Sequence, residues 1–149
     1  MSYMNTMHIA AILLSALLLA AGPIYAEETL KPFTTDGCSE FPNGTLKQKD
    51  LWLKCCIAHD KKYWAGGTQN ERLVADRELK VCVESVGEPA IAALMLAGVR
   101  VGGSPALNTP FRWGYGWPFG RGYKALSPEE NAQVRKLLEQ YEKQSAVVQ

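Results

Sequence analysis

Apolar positions from Leu51 onward recur with a helical period. Leu51, Trp52, Leu53, Cys55, Cys56, Ile57, Tyr63 and Trp64 are apolar or nearly so, and Lys54 and Lys61 mark the opposite, solvated line. Asp50 precedes them as an expected N-cap. At about 100° per residue, His59 lies about 140° from Lys54, so it points into the protein or into a cleft. Gly66-Gly67 ends this helix, because glycine adopts the left-handed C-terminal conformation at little cost. Thr68-Gln-Asn-Glu71 then reads as a capping box opening a second helix to about Val86. Its core stripe is Ala75, Leu79, Cys82 and Val86, while Asp76 is an acid in line with the apolar Leu73, Leu79 and Val83. So short a connection makes the two helices antiparallel neighbours.

Antiparallel helices pair residues whose numbers sum to a nearly constant value. Cys55 with Cys82, His59 with Asp76 and Tyr63 with Leu73 agree to within ~3 Å along the axis. One register thus closes a disulfide and faces a lone His with a misplaced Asp. Ahead of the pair, residues 27–50 are rich in Thr, Gly, Pro and Asn, and 34–45 within them read as an irregular loop held by Cys38. Beyond it, Ala90–Ala97 is apolar all round and predicts a short buried third helix, with Gly98–Gly103 as a turn. Phe111, Trp113, Tyr115, Trp117 and Phe119 alternate with Arg, Gly and Pro. That segment suits a packed strand, a cover over the helix pair, or a membrane-interface belt. Ser127-Pro-Glu-Glu130 opens a last amphipathic helix with Val134, Leu137, Leu138 and Tyr141 on one side. No internal repeat is present, and the expected class is mainly α.

Composition narrows the function. The 149 residues carry 16 Lys plus Arg against 15 Asp plus Glu, a balance unlike that of nucleic-acid binders or polybasic membrane anchors. No charged side chain falls in residues 1–26, where Ile9–Ala21 is an apolar run followed by Gly22-Pro23 and Ala26. This reads as a signal peptide cleaved after Ala26, since the run is short of the ~20 residues that span a bilayer. Residues 27–149 are then a single domain, secreted or periplasmic. In an oxidising compartment Cys38, Cys55, Cys56 and Cys82 form two disulfides, with three possible connectivities, rather than a zinc site. The helix register selects Cys55 with Cys82, which leaves Cys56 for Cys38. Removal of the leader, which holds His8, leaves His59 as the only imidazole.

Cys55-Cys56-Ile-Ala-His59-Asp60-Lys-Lys-Tyr63, followed by Asp76 and by Cys82 six residues later, resembles the core of the secreted phospholipase A2 superfamily in a divergent, microbial-like form. The resemblance covers residues 36–83, with residues 98–149 as a C-terminal extension holding an aromatic, Gly-rich segment. It implies a disulfide-linked antiparallel helix pair with a calcium-binding loop, bridged Cys38–Cys56 and Cys55–Cys82. It also implies that His59 draws a proton from the water attacking a phospholipid's sn-2 ester, that Asp76 orients the imidazole, and that Tyr63 supports the pair. Asp60 is the implied calcium ligand, joined by carbonyls of Gly37 and Ser39 and by Asp36 or Glu40 as a further carboxylate. The loop Asp36-Gly-Cys-Ser-Glu-Phe-Pro42 has fewer glycines than the familiar animal and venom enzymes, Lys61-Lys62 replaces a family Cys, and the family's second structural Tyr has no counterpart.

The expected activity is calcium-dependent release of a fatty acid and a lysophospholipid at a membrane interface, with Lys61, Arg112 and Arg121 as local attraction for anionic lipid. Nothing in the sequence specifies a protein partner. Three other readings compete. A protein of this fold without activity serves as an exported binding or envelope-structure component, or the same dyad hydrolyses another ester. His59 is otherwise a satisfied core histidine, with Asp76 an ion-pair partner of Arg72 or Lys80.

Overall fold

A computed structural model describes residues 29–147 as four helices with no strand among the described residues: α1 (Leu53–Ala65), α2 (Gln69–Ser85), α3 (Pro89–Gly102) and α4 (Pro128–Val147). The expected leader and its expected cleavage site lie outside the described residues. No helix among them is long and apolar enough to cross a membrane.

The α1–α2 hairpin follows from local chemistry. Gly66 leaves α1 at φ +70° with its N–H on the Lys62 carbonyl. The Thr68 hydroxyl then accepts from the Glu71 amide, and the Glu71 carboxylate accepts from the Thr68 amide at 2.6 Å. Disulfides join Cys55 to Cys82 across the hairpin and Cys38 to Cys56 between the loop and α1. Asp50 is not the N-cap. It lies in the turn before α1, where its carbonyl accepts from the Leu53 amide, and the helix begins after Trp52. Burial of the Trp52 indole, whose N–H bonds the Pro42 carbonyl at 2.6 Å, sets that start.

Two further expectations are corrected. Residues 98–102 are helix rather than turn, and α3 is not buried all round: only Ala92 and Met95 are, packed with Leu79 and Val83 of α2. Gly98 and Gly102 stay helical because the Arg72 guanidinium, reaching from α2, holds the Val99 and Arg100 carbonyls at 2.9 Å each. Leu94 and Val101 are left 58% and 77% exposed.

The aromatic segment is a run of turns covering the hairpin, not a strand. Its alternation matches the unsatisfied carbonyls at the end of α1. Gly114 N–H donates to Tyr63 O, Gly116 N–H to Trp64 O, and the Trp117 indole to Ala65 O, while the Trp113 indole reaches Gly67 O. Trp113 and Trp117 are therefore core residues, and of the segment's aromatic side chains only Phe119 and Tyr123 stay exposed. The expected lipid-facing cations are also committed internally. Arg112 is buried on the Trp117 carbonyl, Arg121 pairs with Glu130, and Lys61 pairs with Glu142 of α4. Helix α4 docks through Val134, Leu137, Leu138 and Tyr141 onto Phe33, Trp64 and Trp117.

Candidate active site

His59 leaves the middle of α1 toward α2, where Asp76 is completely buried. His59 Nε2 lies 3.1 Å from Asp76 Oδ1, and because an ionised carboxylate only accepts, Nε2 carries the proton. Nδ1 is then the basic nitrogen, with no protein partner among the described residues. The Tyr63 hydroxyl, one turn further along α1, donates to the same Oδ1 at 2.7 Å, and its ring packs 4.1 Å from the imidazole. Burial alone would push the Asp76 carboxyl up, but the bonds from His59 and Tyr63 outweigh it and hold the group below the usual range. Tyr63 is pushed the other way, by burial and by Asp76, and stays protonated.

Neither Arg72 nor Lys80 is the direct partner of Asp76. Lys80 pairs with Glu84 along α2. Arg72 donates its Nε–H to the Tyr63 hydroxyl at 3.1 Å and its Nη1–H to Tyr123 at 2.7 Å. The cation on Asp76 is Arg100 of α3, with Nε 2.7 Å from Oδ2. Its N–H does not point along the line to the oxygen, so charge rather than an aligned hydrogen bond makes this contact. Arg100 was not singled out from sequence, yet a signal existed: it is the only charged residue between Glu88 and Arg112.

Asp60 faces the other way, toward the loop before α1. The Thr35 hydroxyl donates to its Oδ2 at 2.6 Å. Burial pushes the Asp60 carboxyl up to about 7, against the lowering by Thr35 and with a further push from the charge of Asp36. No basic side chain among the described residues pairs with Asp60 or Asp36. Two neighbouring acids, one of them desolvated, suit a cation, and hydroxyl and carbonyl groups around them suit a hard one. Among the described residues no three His, Cys, Asp or Glu side chains converge, so most ligands of such an ion must be loop oxygens. Gly37, at φ +84°, and Ser39, at φ +30°, shape that loop. Ser39 also donates to Asp36 at 2.6 Å.

His59, Asp60 and the Gly37–Phe41 loop border one cavity of about 420 Å³, closed elsewhere by Leu79, Met95, Gly98 and Phe111. The sequence-selected His59, Asp76, Tyr63, Asp60, Gly37 and Ser39 are thus gathered at or just behind a single, largely apolar recess. No protein-family model, no curated protein and no solved structure matches the chain.

Proposed function

We propose that the protein is an exported, calcium-dependent hydrolase of the phospholipase A2 type, cleaving the sn-2 ester of phospholipids. The observation that carries the reading is His59, nearly sealed from solvent, with Nε2 held by a buried carboxylate and Nδ1 without a protein partner among the described residues, at an apolar recess beside an acid that no basic side chain neutralises. Two disulfides support export to an oxidising compartment.

The apolar recess takes the acyl chain and brings its ester to His59. Nδ1 removes a proton from water while the water oxygen bonds to the carbonyl carbon. Asp76 keeps the ring in the reactive tautomer and stabilises the imidazolium that forms, and Tyr63 keeps that carboxylate in place. The bond from the carbonyl carbon to the glycerol oxygen then breaks, and the imidazolium returns its proton to that oxygen. A fatty acid and a lysophospholipid leave. Asp60 with loop oxygens of Gly37 and Ser39 would hold the calcium ion, which supplies positive charge for the ester oxygen when bound.

The test is fatty-acid release from phospholipid mixed micelles by the oxidised protein. Release that requires calcium and falls by about 10²–10⁴ in His59→Gln is the expected result. Calcium should also raise the melting temperature of the wild type but not of Asp60→Asn. No release, together with no calcium-dependent thermal shift, defeats the proposal in favour of a non-catalytic exported protein. Hydrolysis of soluble esters alone points instead to another esterase.

A further inference from the structure

We propose that Arg100 is a positioning residue of the His59–Asp76 pair, a role that rests on the hydrolytic reading above. His59 and Tyr63 both bond to Oδ1 of Asp76, which leaves the second carboxylate oxygen to another group. Arg100 faces that oxygen, with Nε 2.7 Å from Oδ2, and its charge there resists a swing of the carboxylate about its Cβ–Cγ bond.

Charge gives a second reason. A general base must rest as neutral imidazole, and Tyr63 is neutral too, so neither balances a fully buried carboxylate. A bare charge in that position is costly. The charge of Arg72 acts from behind Tyr63 and Arg100 is the cation in direct contact, so together they let Asp76 remain ionised before the imidazolium forms.

The guanidinium is itself aimed. Its Nη2 donates to the Leu73 carbonyl on α2 at 3.2 Å, and the Arg100 backbone carbonyl accepts from Arg72. Met95, Gly98 and Val99, on the preceding turns of α3, border the cavity. One helix therefore carries both a wall of the recess and the anchor of the dyad, and the alignment of Asp76 depends on how α3 is seated.

The experiment compares the wild type with Arg100→Ala, Arg100→Gln and Arg100→Lys in the full oxidised chain, on phosphatidylcholine mixed micelles with calcium. Arg100 is one-third exposed, so truncation opens to water rather than leaving a sealed void. Loss of the guanidinium should lower kcat about 10–100-fold, with KM within about threefold. Arg100→Lys should recover most of that loss, and millimolar guanidinium should recover part of it in Arg100→Ala. A second readout needs no turnover: the imidazole Nε2–H proton signal of His59 in ¹H–¹⁵N spectra. It should be downfield and protected in the wild type and in Arg100→Lys, and broadened or lost in Arg100→Ala and Arg100→Gln. Wild-type kcat, an equal and unrescued loss in all three variants, or an unchanged Nε2–H signal in Arg100→Ala each overturn the proposal. A wild type that releases no fatty acid defeats the hydrolytic reading instead, and the proton signal still decides the role of Arg100.

Discussion

Two acids seventeen and one residues from His59 are both buried, yet they are driven in opposite directions. Asp60 has a hydroxyl and another acid for neighbours, so burial wins and its carboxyl rises to about 7. Asp76 is buried too, but bonds from His59 and the Tyr63 hydroxyl, with the charge of Arg72 nearby, outweigh burial and hold it low. The sign of the Asp76 contribution to stability follows. Its native value lies below the ordinary value of about 3.9, so the unfolded chain binds the proton first as pH falls. The stabilisation is fully present above about pH 4 to 5 and is lost as pH falls through the native value. Asp76→Asn should therefore cost on the order of 2–3 kcal/mol at pH 7, because the bonds from His59 and Tyr63 lose their ionised acceptor while the part-exposed Arg100 is left to water, and this deficit should shrink toward pH 2. Urea unfolding of both proteins across that range measures it, and a pH-independent difference contradicts the assignment. The His59–Asp76 contact was legible in sequence because both residues are fixed by one hairpin register. The Arg100 contact was not, because its direction depends on where a separate helix docks.

Elements bounded by their own side chains were read closely, and those bounded by contacts were not. The box at Thr68 and Glu71 and the Ser127–Glu130 cap both occur at the positions read from sequence. The start of α1 moved from Asp50 because a buried indole set it, and α3 outran its apolar run because Arg72 holds its late carbonyls. The period of two at residues 111–119 suited either a strand or a cover over the helix pair, and it is the cover that forms, because the spacing serves helix-end carbonyls. Gly98 tests this account of α3. It is helical, and a Cβ built on it meets nothing within 4 Å. If tertiary bonds hold a segment that glycine weakens, Gly98→Ala should stabilise the protein by about 0.5–1 kcal/mol. A higher urea midpoint with an unchanged slope is the expected observation. A lower midpoint would mean that the site needs glycine for packing.

On the scale of the whole molecule, the surface left apolar is not the one that composition suggested. The aromatic segment is largely consumed in covering α1, and the arginines beside it are tied to carbonyls and to Glu130. The exposed apolar stripe instead runs along α3 through Ala90, Ala93, Leu94, Ala97 and Val101, and Leu94 belongs both to it and to the wall of the recess. A contiguous stripe at the edge of a cavity marks a contact surface. Under the proposed function its occupant is the phospholipid surface, because an acyl chain must pass from lipid into the recess without crossing water. Glutamates at Ala93 and Val101, both exposed and neither bordering the recess, should weaken sedimentation with phosphatidylcholine vesicles and lower hydrolysis of vesicle lipid by about tenfold or more. The same double variant should hydrolyse a short-chain phospholipid below its micellar concentration at the wild-type rate, since the dyad and its cavity are untouched. Undiminished vesicle binding would move the lipid contact elsewhere. A wild-type dimer that the two glutamates dissociate would assign the stripe to a second copy of the chain.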